Sequence, residues 1–223
     1  MKQLPPTDSP RSLIGAPIGP YQADMHLECA LNRTGYANVA GIDEAGRGPL
    51  AGPVVAAAVI LDANNIPEGL DDSKTLSLKK RNNLYREILC CSEVSIATIS
   101  ATLIDQINIR QATLLCMNRA ANALKTRPDW CIIDGKDVPD GLAGRATAVI
   151  KGDGRSSSIA AASVIAKVTR DAMMSQIAHT HPDYGFEQHK GYGTLAHRSA
   201  IIKHGPCAIH RFSFAPIRTM KNC

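Results

Sequence analysis

The sequence predicts an α/β fold: a mixed central sheet flanked by helices, with a small helical segment at the C-terminal end. Three observations carry this expectation. Apolar runs of strand length follow one another early in the chain, whereas later ones alternate with longer stretches of helical periodicity, the pattern of a mixed sheet. Hydrophobic residues make up 44% of the 223 positions but aromatics only 4%, so the core must be aliphatic, as in closely packed layers of Val, Ile, Leu and Ala. Charged residues are 20%, a balance compatible with a globular core and not with general disorder.

Taken in order, residues 1–34 hold five of the thirteen prolines and no clear periodicity. They are expected to be a flexible extension, with a short helix over Ala23–Leu31. One domain should then run over 35–216, with a tail over 217–223. Its first strand is Tyr36–Asp43. The next, Val54–Leu61, is continuously apolar and should be buried on both faces. After a turn-rich connection, a polar loop over Leu70–Ser77 leads into a helix with Ser77 as N-cap and Leu78, Leu84, Ile88 and Leu89 on its apolar face. Val94–Ser100 alternates as a strand does. Leu103–Asn108 and Ile109–Leu124 read as helices, Trp130–Ile133 and Ala146–Ile150 as strands. Ser158 opens a helix reaching about Ala178, Pro182–Gly193 is a loop, Thr194–His204 is the last helix, and the chain from Gly205 is irregular.

Chemistry concentrates at predicted strand ends. Asp43-Glu44, Asp134 and Asp153 each follow an apolar run and precede glycine or a glycine-rich turn. Strand ends are where α/β sheets build ligand sites. Four carboxylates brought together repel one another and raise each other's pKa unless cations lie between them. Two divalent ions roughly 3.5–4 Å apart would stabilise such a cluster and suit in-line displacement at a phosphate. Histidine and cysteine are absent from these ends, which favours Mg2+ or Mn2+ over zinc. In Gly46-Arg47-Gly48 the glycines permit close backbone approach and the arginine is placed to meet something anionic. Lys74, Lys136 and Lys151 lie in loops beside these acids, while Ser163, Lys167 and Arg170 share one helix face opposite Ala161, Ile165, Val168 and Ala172.

The net charge of +5 resides in residues 186–223, with six basic groups and one acidic. All three phenylalanines and six of the seven histidines fall between His179 and Phe214. Such a segment fits either a polyanion-binding face or an ordinary solvated surface with aromatics packed beneath it. The histidine spacings match no compact zinc pattern, so hydrogen-bonded or surface histidines are expected. Seven cysteines without a CxxC pair read as reduced, packed thiols. No run is long and apolar enough for a membrane span and no secretory signal is evident, so a cytoplasmic protein with no membrane partner is expected.

Several stretches, met in this order, resemble the ribonuclease HII family. They are residues 41–54 (GIDEAGRGPLAGPV), Asp72-Ser73-Lys74, residues 133–136 (IDGK), Lys151–Asp153, residues 161–171 (AASVIAKVTRD), residues 189–194 (HKGYGT) and residues 210–214 (HRFSF). Each is weak alone, but the ordered set covers about residues 36–216 and is highly specific. The resemblance implies an RNase H-like fold and an endoribonuclease acting on RNA–DNA hybrids and on duplex DNA containing single ribonucleotides; a monomer is the default expectation. It would leave 5′-phosphate and 3′-hydroxyl ends by two-metal-ion catalysis. It implies further that Asp43, Glu44, Asp134 and Asp153 match the acidic metal-site positions, and that Gly46, Arg47 and Gly48 match the loop reading the ribose 2′-hydroxyl. Tyr192 matches a tyrosine that packs on the next sugar. Lys74, Ser163, Lys167 and Arg170 match regions contacting phosphates. Residues 1–34 look too short and proline-rich for the additional N-terminal domain of ribonuclease HIII. Rival readings are a DNA-directed nuclease or recombinase with the same acidic cluster, a non-catalytic hybrid-binding protein, and a small-substrate phosphatase.

Overall fold

A computed structural model of the chain describes residues 23–71, 73–74 and 76–220. The extension expected over Met1–Pro20, and Asp72 of the Asp-Ser-Lys motif, lie outside these residues. The elements are α1 (His26–Arg33), β1 (Val39–Ala45), β2 (Val54–Leu61), α2 (Leu78–Cys91), β3 (Ser92–Ile99), α3 (Ala101–Ile107), α4 (Ile109–Ala123), β4 (Trp130–Asp134), β5 (Ala146–Val149), α5 (Ser157–Thr180), α6 (Phe186–His189), α7 (Leu195–His204) and α8 (Ile217–Met220).

The five strands form one sheet in the order β3-β2-β1-β4-β5. β1, β2 and β3 pair antiparallel, and β4 and β5 add parallel to β1. Alternation along each strand divides the core between two faces. Ala40 and Ile42 of β1, Val54, Ala56 and Ala58 of β2, and Cys131 and Ile133 of β4 pack beneath α3 and α4, against Ile104, Ala112, Cys116, Met117 and Ala120. Ala57 and Val59 of β2 point the other way, against Leu84 and Ile88 of α2 and the Ala160–Ala166 stretch of α5. The small residues of β2 have a packing reason. A continuously apolar strand between two helical layers lets each layer approach closely only if its side chains are short. Gly41 takes this furthest, because the Ser158 backbone of α5 lies where its Cβ would be.

Helix starts follow their caps. Ser77, Ser100, Asn108, Ser156 and Thr194 each accept the backbone N–H three positions into the helix they precede. A third core lies at the C-terminal end, where Leu50, Ala51, Met174, Tyr184, Phe186, Ile201 and Ile217 pack together.

Four expectations change. β1 begins at Val39 and continues to Ala45, because antiparallel pairing with β2 carries the ladder to Ala45–Val55, so Asp43 and Glu44 lie within the strand. β5 ends at Val149. Lys151 takes a left-handed conformation (φ 54°), and Asp153 sits in a 3-10 turn over Gly152–Gly154. The first half of α5 is buried all round, since it lies between the sheet and α2, so its two-faced character emerges only beyond Ala166. Finally, α1 is built into the domain. Leu27 and Leu31 pack against Val39, Trp130, Ile132, Val149 and Ile159, so the boundary expected at residue 34 does not mark a change in packing.

Candidate active site

Parallel pairing of β1 with β4 sets the geometry of the acids. Ile42 lies level with Ile133, so the next position on each strand brings Asp43 level with Asp134. Both share the sheet face covered by α5, because Ile42 and Ile133 occupy the opposite face. The turn entering α5 then delivers Asp153 to the same place. One carboxylate oxygen each from Asp43, Asp134 and Asp153 lie within 4.8 Å of one another.

These carboxylates are fixed from behind. Asp134 Oδ1 accepts the Gly152 N–H at 2.7 Å, Asp43 Oδ1 accepts the Glu44 N–H at 2.7 Å, and Asp153 Oδ1 accepts the Gly154 N–H at 3.0 Å. Lys74 Nζ donates to Asp153 Oδ2 at 3.3 Å. Burial, followed by the charges of Glu44 and Asp134, pushes the Asp43 carboxyl well above the usual range. Burial and the neighbouring Asp153 raise Asp134, against the opposing Gly152 N–H and the Lys74 ammonium. An all-oxygen, mutually repelling donor set in a half-buried position is the chemistry that hard divalent cations satisfy.

Glu44 stands apart from this trio. Strand alternation turns it to the other side of β1, where it lines a narrow crevice with Thr113 and Met117 of α4 as well as the main cleft. Burial raises its carboxyl, opposed by Arg47, whose Nη1 donates to Oε1 at 3.2 Å.

Above the acids lies an open cleft of about 510 Å³. Asp43, Glu44, Asp134, Gly46, Arg47, Gly48, Lys74, Ser163, Lys167, Arg170 and Tyr192 all line it. Asp153, the remaining expected site residue, joins through its contact with the other two aspartates. Tyr192 is 46% exposed and stands next to Gly48, where an added Cβ would lie 3.8 Å from the ring.

Two residues expected to meet substrate are instead engaged inside the protein. Arg170 is 1% exposed and donates to the carbonyls of Pro53, Lys190 and Ala51 at 3.0, 3.1 and 3.1 Å. Ser163 Oγ shares a hydrogen bond of 2.7 Å with Ser73 Oγ, joining α5 to the Asp-Ser-Lys loop. Arg81 reinforces that loop, donating to the Ser73 carbonyl at 2.7 Å and to that of Leu76 at 2.8 Å. Lys167 pairs with Asp171 at 2.8 Å and still reaches the cleft wall.

The residue sequence reasoning missed is Arg211, which is fully buried. Its guanidinium donates to the carbonyls of Gly52, Arg47, Pro49 and Gly46 through five hydrogen bonds of 2.6–3.0 Å. Burial, then the neighbouring Arg170, pulls its pKa down to about 9. Arg170 and Arg211 thereby draw the carbonyls of the glycine loop inward. Gly46 and Gly52 accommodate the required backbone at φ 94° and 86°. Among the described residues, no hydrogen bond uses the N–H of Arg47 or of Gly48, and both residues line the cleft. Position within the quoted HRFSF stretch was the only sequence signal for Arg211. Counted as one more C-terminal base, it reads as solvated.

The histidines form part of the same support. His197 and His210 are buried with Nε2 atoms 3.1 Å apart, and His197 Nδ1 contacts the Tyr192 carbonyl at 2.9 Å. Phe186 packs edge-on against His189 and His197. These aromatics are core, so the polyanion-binding reading of this segment does not extend to Phe186. Among the described residues, the aspartate trio is the one cluster of three or more His, Cys, Asp or Glu side chains suited to a metal ion. The described cysteines are free thiols.

A mixed sheet with paired acids on adjacent parallel strands, completed by an acid leading into the covering helix, places this chain in the RNase H-like class of α/β folds. The crystal structure of ribonuclease H2 from Pyrococcus horikoshii OT3 superposes with a TM-score of 0.71 at 26% identity, covering 83% of this chain and 97% of that one. Bst-RNase HIII in complex with Mn2+ shares the fold at a TM-score of 0.66 and 20% identity, over 84% of this chain and 70% of that one. The sequence model of ribonuclease HII matches residues 40–217. A ribonuclease HII of Rhizobium leguminosarum bv. trifolii (strain WSM2304) is 53% identical over 222 residues, spanning 100% of this chain and 96% of its own. The chain belongs to the ribonuclease HII family. It is an endoribonuclease H, a hydrolase acting on the RNA of RNA–DNA hybrids. Among the described residues, no helix is long and apolar enough to cross a membrane.

Proposed function

We propose that this ribonuclease H also nicks duplex DNA on the 5′ side of a single embedded ribonucleotide, leaving 5′-phosphate and 3′-hydroxyl ends, and so serves ribonucleotide excision in DNA repair and replication. The observation that supports this best is the pairing of two features across one cleft. On one side, three aspartate oxygens lie within 4.8 Å of one another. On the other, Arg47 and Gly48, whose N–H groups make no hydrogen bond among the described residues, line the cleft beside an exposed Tyr192. The 2′-hydroxyl is what separates RNA from DNA at a given sugar, and reading it needs a backbone that can come close. Gly46 and Gly48 permit that approach.

Asp43, Asp134 and Asp153, with Glu44 at the margin, are the residues that would hold two divalent cations, Mg2+ or Mn2+. Bst-RNase HIII, of the same fold, is known with Mn2+. Such ions lower the pKa of water and stabilise a leaving oxygen during in-line displacement. The protein's part is placement. The loop seats the ribose, Tyr192 packs on the following sugar, and Lys74 and Lys167 face the phosphates. In this reading Arg170 and Ser163 act through the loops they hold, not by touching phosphate.

The test is cleavage of a DNA duplex carrying one ribonucleotide, with and without divalent metal. A single nick 5′ of the ribonucleotide, dependent on metal, is expected. Equal cleavage of an all-DNA duplex, or none at the ribonucleotide, would overturn the reading.

A further inference from the structure

Glu28 of α1 lies outside the matched family region, and its side chain belongs to none of the catalytic features above. It is nevertheless 2% exposed, a burial that carboxylates tolerate only when well bonded. Its Oε1 accepts three hydrogen bonds from the start of α5: Ser156 Oγ at 2.6 Å, Ser158 N at 2.9 Å and Ser158 Oγ at 2.6 Å. Its Oε2 is buried without a partner in the protein.

These bonds converge on the cap of the helix that follows Asp153. Ser156 is the N-cap of α5 and accepts the Ile159 N–H at 3.1 Å through the same hydroxyl that it donates to Glu28. Asp24, two residues before α1, accepts the Ser157 N–H on its carbonyl at 2.8 Å and forms a parallel bridge with Ser156. The N–H groups of Ser157 and Ser158, unpaired by geometry at any helix start, are thus satisfied by residues 24–28. A negative group here also complements the positive end of the helix.

From the cap, the links run to the acids. Ser156 N donates to the Gly152 carbonyl at 2.9 Å, and Gly152 N donates to Asp134 Oδ1 at 2.7 Å. Asp153 lies inside the turn that the first bond closes and the second ties to β4. Glu28, Ser156, Gly152 and Asp134 therefore form one hydrogen-bonded series with Asp153 held within it. Groups that orient metal-binding carboxylates from outside the ligand set usually matter for affinity.

We infer that Glu28 is a positioning residue for the metal site, fixing through the α5 cap the turn that places Asp153 and braces Asp134. The inference rests on the metal-site reading given above. It assigns residues 24–33 a part in catalysis that their place before the family region does not suggest.

The test is Mn2+ binding by the full chain, followed by electron paramagnetic resonance, with melting temperature measured alongside. Wild type should bind and Asp43→Asn should not. Failure of wild type to bind would sink the metal-site reading, and this inference with it. Given binding, Glu28→Ala should weaken Mn2+ affinity about tenfold, and Glu28→Gln, which keeps the acceptor oxygen, should restore most of it. If Glu28→Ala does not fold, Ser158→Ala, which removes one of the three bonds, should weaken Mn2+ affinity several-fold. A folded Glu28→Ala protein, or failing that Ser158→Ala, with wild-type Mn2+ affinity would overturn the inference while leaving the metal site intact. A lowered melting temperature with unchanged affinity counts against it in the same way, because that is what a purely structural role produces.

Discussion

The two walls of the cleft solve opposite electrostatic problems. One gathers Asp43, Asp134 and Asp153, whose like charges face one another across less than 5 Å. The other buries Arg170 and Arg211, also like charges, beneath the glycine loop. The acids keep oxygens directed at a common point, and burial raises Asp43 and Asp134. The guanidiniums direct their donors at backbone carbonyls, eight hydrogen bonds between them. The difference shows which charges are available for chemistry. Acids whose second partner must come from solution make a site. Arginines whose donors are directed at carbonyls make a scaffold, even where one of them, Arg170, lines the same cavity.

The largest expected effect breaks the acidic wall. Asp43→Asn should reduce single-turnover cleavage of a hybrid about a thousandfold at saturating metal, the scale of losing a major electrostatic element. The same variant should raise the melting temperature of the metal-free protein at neutral pH. Asp43 has a folded pKa above its unfolded one, so its carboxylate form opposes folding at pH values above that pKa. A metal-free Tm that falls would contradict the account of this wall.

Next comes the opposite wall. Arg211→Lys keeps the charge but cannot make five directed bonds, and should cost about 2–3 kcal/mol of stability, measured by denaturant unfolding. Hybrid cleavage should fall about tenfold through loss of loop geometry, with both effects read on the same preparation. Unchanged stability would show that the carbonyl bonds contribute nothing net.

A third effect is on pH. Burial lowers His197, and burial with the neighbouring His197 lowers His210 from 6.5 to about 4. Between those two values the unfolded chain binds more protons than the folded one, so this part of the stability is present above pH 6.5 and is lost as pH falls towards 4. Tm measured across that interval should fall with acid, and less steeply in His210→Gln; parallel curves for the two proteins would argue against it.

The smallest effect concerns Arg110 and Asp137, an exposed bidentate pair with distances of 2.7 and 3.1 Å. Surface pairs contribute little. Arg110→Ala should leave Tm within experimental error, and a clear drop would show that this rim pair matters more than its exposure allows.

How far each part was legible follows from the same contrast. β2 was readable residue for residue because an uninterrupted apolar run has one use in a layered fold. Ser77 as a cap and the long helix ahead of Thr180 were readable because capping chemistry is local. The acids were readable because carboxylate next to glycine after an apolar run is a local pattern as well. That Arg170 is buried against three carbonyls was not readable, since helical spacing reveals which residues share a face but not what covers that face. α1 read as part of a flexible extension because its partner, the start of α5, lies about 130 residues away in the chain.

By itself, then, the sequence determined the α/β class, most of the elements and the placing of acids at the ends of apolar runs. Each of these depends on neighbours within a few residues. Only the tertiary structure decided that Glu44 stands apart from the trio on the other side of β1, that Arg170 and Arg211 support the loop, and that Glu28 braces the cap of α5. Those outcomes depend on strand alternation across a register and on which donors meet which carbonyls over more than a hundred residues. No local pattern encodes such meetings, because the interactions exist only once the layers have packed.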